Sequence, residues 1–248
     1  MAVKITTLEE RPELGDAIHD MPDDWPEFVQ NDPVGWAHFP RLAGTFPEFT
    51  LIATDEEGVA VARAYAVPFV LGAPGRGELP PNGWDQALLW AFSDHRRGVR
   101  CDTVSAIEIM VRPDRRGRGL SGTILAAMRE NVRARGFTEL VAPVRPNGKH
   151  REPSTPMAEY ALRTRDDGLP VDPWLRTHVR AGGVIHSVAP ASMAVPGSLA
   201  QWREWTGLPF DADGWVEVPG ALVPVRCVPE QDYATYVEPN VWVRHSLG

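Results

Sequence analysis

The chain has only two cysteines in 248 residues, Cys101 and Cys227, and neither belongs to a C-x-x-C pair. That excludes a disulfide framework, and both are expected to be structural thiols. No window approaches the roughly 18 uninterrupted apolar residues of a membrane span. The opening "MAVKITTLEERPELGD" also lacks the apolar centre of a secretory signal. A soluble, cytoplasmic protein with no membrane partner is therefore expected. Basic residues are outnumbered, 25 Lys and Arg against 33 Asp and Glu, giving a net charge of −8. Nucleic acid is not an expected partner, because phosphate contact needs a basic surface. The seven histidines include no H-x-x-x-H or H-E-x-x-H, so no metal is expected, and no G-x-S-x-G elbow offers a serine nucleophile.

What is present is ordinary for a globular protein: 43% apolar and 23% charged residues, with 24 prolines and 22 glycines scattered between apolar runs as turns. The first third reads as two helix-like segments broken by Pro12, Pro26 and Pro33, then a β-hairpin in which "EFTLIAT" and "VAVARAYAVPFVL" flank "DEEG". A helix follows in "NGWDQALLWAFSDHRRG", and "DTVSAIEIMV" alternates as a strand. Leu120, Ile124, Leu125, Met128 and Val132 then form one apolar stripe, with Arg129, Glu130 and Arg133 off it, which predicts an amphipathic helix stopped by Gly136. "TELVAPV" is the next strand. Past Asn147 the pattern loosens into a loop with one short helix. It recovers with a helix capped by Asp172, a strand "VIHSVAP", a helix in "SLAQWREWTG" and two strand-like runs, "ALVPVRCV" and "YATYVEPNVWVRH".

The stretch "RRGRGLSG" is where chemistry concentrates. From Arg112 to Arg118 four arginines meet one aspartate, a basic patch on an acidic chain that suits a small anionic ligand. Gly117, Gly119 and Gly122 fit the dinucleotide pattern G-x-G-x-x-G. In that fold, however, the first glycine follows its strand almost directly and an acid ends the next strand. Here "RPDRR" separates Val111 from Gly117, and Glu139 begins the next strand instead of ending it. The nucleotide phosphate loop fails as well, since "NGKH" has no Ser or Thr after Lys149. What remains is a strand, an arginine-glycine loop and a long helix whose free N-terminal amides, Arg116 to Ser121, can hold a pyrophosphate. Glycine at 117 and 119 lets the backbone approach the phosphates and take positive φ.

"EIMVRPDRRGRGLSGTILAAM" resembles the motif of the GCN5-related N-acetyltransferase (GNAT) superfamily, V-x-P-x-x-R-G-x-G-L ahead of the central helix. The likeness is strong from about Val104 to Asn147 and loose elsewhere, and Ser121 stands where the family has Gly or Ala. It implies an α/β (α+β) fold, a mixed, mostly antiparallel splayed β-sheet flanked by helices. Residues 1–193 would form the acyltransferase domain, with an insertion at about 148–171, and 194–248 would complete it with a helix and strands. The resemblance further implies acetyl-CoA or another acyl-CoA as co-substrate and no metal. The acyl group would pass to the amine of a small molecule by direct attack in a ternary complex. A homodimer is left open, as are two alternatives: an acyl-CoA-binding protein without activity, and an altered reaction such as decarboxylation or longer acyl transfer.

Carried over position by position, the resemblance assigns CoA binding to Met110, Val111, Arg116, Gly117, Arg118, Gly119, Leu120, Ser121, Gly122 and Asn147. Backbone amides at Met110 and Val111 would polarise the thioester. Glu108 is the one carboxylate in its strand, and a charge inside an apolar strand is costly unless it faces a polar cleft. It is read as the general base; the other reading is a surface-facing glutamate or a structural ion pair with a nearby arginine. The family's tyrosine acid falls on His178, whose imidazole, at an ordinary pKa near 6.5, could protonate a thiolate; a plain structural histidine is the other reading. Trp25, Trp36, Trp84, Trp90, Trp174, Trp202 and Trp205 are candidates to line the acceptor pocket or to fill the core.

Overall fold

The computed structural model describes residues 3–22 and 24–248. Nine strands run among the described residues: β1 (Lys4–Thr7), β2 (Thr50–Thr54), β3 (Ala60–Phe69), β4 (Thr103–Val111), β5 (Glu139–Val144), β6 (Val184–Gly197), β7 (Gly214–Val216), β8 (Val225–Val228) and β9 (Tyr233–Ser246). They make one sheet in the order β1-β2-β3-β4-β5-β9-β8-β7, with β6 paired along β9. Only β4 and β5 pair in parallel; the other ladders are antiparallel. This is the mixed, mostly antiparallel sheet that the resemblance implies.

The helices are α1 (Gly15–His19), α2 (Glu27–Gln30), α3 (Pro33–His38), α4 (Leu42–Thr45), α5 (Gly83–Arg97), α6 (Leu120–Ala134), α7 (Met157–Ala161), α8 (Pro173–Arg180) and α9 (Leu199–Thr206). The first four are fragments of four to six residues: Pro26 and Pro33 start α2 and α3, and Pro40 and Pro47 lie in the turns on either side of α4. In α6 the five residues of the apolar stripe are the five buried ones. Gly136 closes that helix at φ +85°, with Gly136 N–H bonded to Arg133 O and Phe137 N–H to Val132 O, the Schellman pattern.

Two elements were not apparent from the sequence. β1 is a four-residue edge strand, "KITT", and β7 spans three residues, both too short to carry an alternation. β6 also runs on past "VIHSVAP" to Gly197, through an irregularity between Ala189 and Met193 that includes Pro190. At its carboxyl half β9 lies between β5 and β6, and at its amino half between β8 and β6. A second apolar cluster gathers around the fully buried Trp202, and Phe28 and Val29 from α2 join it. The chain's early helices and its last third therefore pack on each other.

The segment after Asn147 is held by two buried charges. Asp172 caps α8 by accepting from the Trp174 and Leu175 amides at 2.9 and 3.0 Å. Its other oxygen accepts from the Gly148 amide at 2.7 Å and the Tyr160 hydroxyl at 3.0 Å. Lys149, fully buried, donates to the carbonyls of Glu152, Pro153 and Leu222. Removing the Asp172 carboxylate strips a helix cap and leaves buried donors unmatched. Asp172→Ala is expected to destabilise the fold by about 2–4 kcal/mol. Chemical denaturation of the variant beside the parent checks this.

Candidate active site

The site begins where a ladder stops. β4 and β5 pair at Val104 with Leu140 and Ser105 with Val141, and then separate. Residues 106–111 of β4 and 142–145 at the end of β5 all face a cavity of about 820 Å³. On its other edge β4 carries a bulge: Tyr65 pairs with Glu108 and Ala66 with Ala106, so Ile107 is extra. A bulge re-aims the side chains beside it.

One end of the cavity is the arginine-glycine loop. Gly117 and Gly119 take φ +76° and +77°, and a Cβ at either would meet no other atom, so backbone conformation and not crowding demands glycine there. Gly119 is the N-cap of α6, which turns the helix N-terminus toward the cavity. Met110, Val111, Arg116, Gly117, Gly119, Leu120, Ser121 and Asn147 line the cavity. Arg118 and Gly122 are not on its wall: Arg118 is exposed, and Gly122 sits in the first turn of α6, where an added Cβ would meet the Thr177 methyl at 3.9 Å. Arg116 donates Nε–H to Val111 O and makes two 2.6 Å bonds to Asp24, whose carboxyl is held below its ordinary pKa by that guanidinium.

The middle of the cavity holds Glu108. It is buried and ion-paired with Arg63 at 2.8 Å, and its other oxygen accepts the Trp25 indole N–H at 3.0 Å. Glu108 therefore lines the cavity and has an arginine partner there. Trp25 also lies under the Arg145 guanidinium, 5.6 Å from the ring centre. Arg145, just past β5, is bonded through Nε to Glu238 at 2.9 Å and through Nη2 to Gly220 O at 2.7 Å. Neither Arg63 nor the Arg145–Glu238 pair had a sequence signal, because their partners lie 45 and 93 positions away.

His178 lines the cavity from α8, but not with the ordinary pKa that an acid role needs. It is buried against Trp174, and its Nδ1 is 2.9 Å from His245 Nε2. Burial, reinforced by His245, pushes its pKa down to about 3, so at neutral pH it has no imidazolium proton to give. Of the seven tryptophans considered, Trp25, Trp36, Trp84 and Trp174 line the cavity; Trp202 and Trp205 pack in the second cluster, and Trp90 lies against Phe69 and beneath Arg76.

The aromatic wall is held by a polar net. Ser192 Oγ accepts the Trp84 amide at 2.8 Å and donates to Asn240 Oδ1 at 2.6 Å, and Asn240 Nδ2 donates to Glu238 at 2.9 Å. Behind Trp84 two carboxyls meet, Asp32 at the cap of α3 and Asp85 in α5. Burial, then the neighbouring Asp32, raises Asp85 from 3.8 to about 9.

A splayed parallel pair of strands, a glycine-arginine loop on a helix N-terminus and a buried carboxylate between them define an acyltransferase that takes its group from a phosphorylated carrier thioester. The comparisons agree. No family model matches the chain. It is 30% identical, over 98% of its length and 93% of the relative's, to the arginine N-acetyltransferase avaD of Aspergillus versicolor. In fold it is similar to the loading GNATL domain of CurA from Lyngbya majuscula, with a TM-score of 0.62, 17% identity and coverage of 100% of this chain and 98% of that one. The GphF GNAT-like decarboxylase in complex with isobutyryl-CoA gives 0.55 and 16%, covering all of both chains. The chain belongs to the GCN5-related N-acetyltransferase superfamily, and it is an acyl-CoA-dependent N-acyltransferase. Among the described residues no helix is long and apolar enough to cross a membrane.

Two outcomes follow. Gly119→Asp places a carboxylate, and a strained φ, where the family resemblance would put the phosphates; acetyl-CoA is expected to raise the Tm of the parent and not of the variant, read by thermal shift. For Asp85 the folded pKa lies above the unfolded one, so from pH 3.8 to about 9 the unfolded chain has released a proton that the fold retains. Stability therefore falls as pH rises through that window. Asp85→Asn is expected to flatten the decline of Tm between pH 6 and 9.

Proposed function

We propose that the protein transfers acetyl from acetyl-CoA to the amine of arginine or a close analogue, by direct attack with donor and acceptor bound together. The observation that carries the acceptor is the pairing of every cavity carboxylate with a guanidinium, Asp24 with Arg116, Glu108 with Arg63 and Glu238 with Arg145, inside aromatic walls. Such a cavity is polar with little net charge of its own, which suits an acceptor carrying charges of both signs. Trp36, 76% exposed, stands at its mouth, and Phe39 stacks on Trp84 at 6.1 Å. These faces suit a guanidinium or ammonium side chain. A relative named for arginine supports the same choice.

In this reading the arginine-glycine loop and Asn147 hold the donor, and the Met110 and Val111 amides polarise the thioester carbonyl. Glu108 takes the proton of the acceptor ammonium. A carboxylate offers about four lone-pair positions, and Arg63 and Trp25 leave room for one more donor. His178, neutral, shapes the wall, and the thiolate takes its proton from solvent.

Thiol release from acetyl-CoA over a panel of free amino acids and amines tests this, with arginine expected in the leading group. Glu108→Gln is expected to lower kcat/KM by roughly 10²-fold or more while acetyl-CoA still raises Tm. Thiol release that no amine stimulates would overturn the proposal. So would full turnover by Glu108→Gln, for the base.

A further inference from the structure

Four arginines face the cavity, and their bonding differs. Arg115, in the arginine-glycine loop, is ion-paired with Asp55 and Asp114. Arg63 sends Nε and Nη2 to Glu108 and Nη1 to Ile18 O. Arg116 sends Nε to Val111 O and both terminal nitrogens to Asp24, and it belongs to the donor loop. Arg145 is bonded to Glu238 and Gly220, with the Tyr236 hydroxyl beside it. A guanidinium has five N–H groups, so donors of Arg145 remain for a ligand. Its side chain is 18% exposed, and it lines the cavity.

The orientation of Arg145 is fixed from several sides. Glu238, itself 0% exposed, accepts from Arg145, from the Tyr236 hydroxyl and from Asn240, so it is locked before any ligand arrives. Trp25 spans the remaining distance, its indole N–H on Glu108 and its ring under Arg145. One indole thus links Glu108 on the β4 arm with Arg145 at the end of the β5 arm, on either side of the splay. A rigid guanidinium beside a cleft is a bidentate site for a planar carboxylate.

We infer that Arg145 binds the acceptor's α-carboxylate, and that the group acetylated is the α-amine one carbon away, presented to Glu108. This rests on the acetyltransferase reading above and narrows its substrate class to free α-amino acids. Decarboxylated or amidated analogues lose the anchor and keep everything else.

The test compares kcat/KM for arginine with that for agmatine and argininamide, and for lysine and phenylalanine with cadaverine and phenethylamine. In the parent enzyme the free acids are expected to lead by roughly 10- to 100-fold. Arg145→Gln is expected to collapse that ratio toward one, with the arginine KM rising more than kcat falls; Arg145→Lys restores part of it. The parent-enzyme ratio needs no variant, so it stands even if loss of the Glu238 partner unfolds Arg145→Gln. Equal turnover of arginine and agmatine by the parent overturns the anchor and leaves the acetyltransferase reading intact. Preference for free acids other than arginine supports the anchor and overturns the choice of arginine. A preference that survives in folded Arg145→Gln overturns the anchor at this residue.

Discussion

The parting of β4 and β5 after two paired residues is the constraint on which the site depends. A parallel ladder that continued would satisfy the backbone of residues 106–111 and leave no cleft in the sheet. Because it stops, one edge of β4 has polar backbone to offer, and the slot between the arms reaches the middle of the sheet. The bulge at Ile107 on the opposite edge and the placement of β9 on the far side of β5 hold the two arms apart. Cavity-lining residues then lie along the two arms: Glu108 and Met110 on one, Val144, Arg145 and Asn147 at the end of the other.

A cleft in the middle of a protein must still solve the problem of burying charge. An ion alone in a low-dielectric interior is too costly, so it is paired, hydrogen-bonded or neutralised. The cavity uses arginines for its carboxylates, and each guanidinium also takes up backbone carbonyls or aromatic faces, as Arg63 does with Ile18 O and Arg145 with Trp25. Where no arginine is near, a proton serves instead, and Asp85 beside Asp32 is held protonated. Two imidazoles, His178 and His245, are kept neutral by the same burial, His245 at a pKa of about 4. The same expense therefore appears as ion pairs on the cavity wall and as shifted protonation behind it.

Local chemistry made much of this legible in the sequence. The loop from Val111 to Leu120, the apolar stripe of α6 with its Gly136 stop, and the Asp172 cap of α8 each need only residues close in the chain, and each lies where its spacing puts it. Sites built from distant residues were not legible. Nothing near Glu108 announces Arg63, and nothing near Arg145 announces Glu238. The expectation for His178 turned on its surroundings, and the His245 that faces it lies 67 positions on. Short strands such as β1 and β7 owe their existence to a neighbour's free edge and carry too few residues for a pattern.

Two consecutive residues, Asp24 and Trp25, join the donor loop to the acceptor wall. The Asp24–Arg116 pair is about half exposed on both sides, so it contributes at most about 1 kcal/mol. In the proposed donor mode a pyrophosphate, with more charge and more acceptor oxygens, would displace one aspartate from Arg116 at little expense. Trp25 is bound differently, with its N–H on a buried carboxylate and its ring under a guanidinium that Glu238 has already fixed. The weak contact is the one that donor binding at Arg116, as proposed, would replace, while the Trp25 contacts need not change. Glu108 and Arg145 are thus tied to one indole across the splay, independently of the Asp24–Arg116 contact; in the proposed reaction it is Trp25, and not the loop, that aligns them.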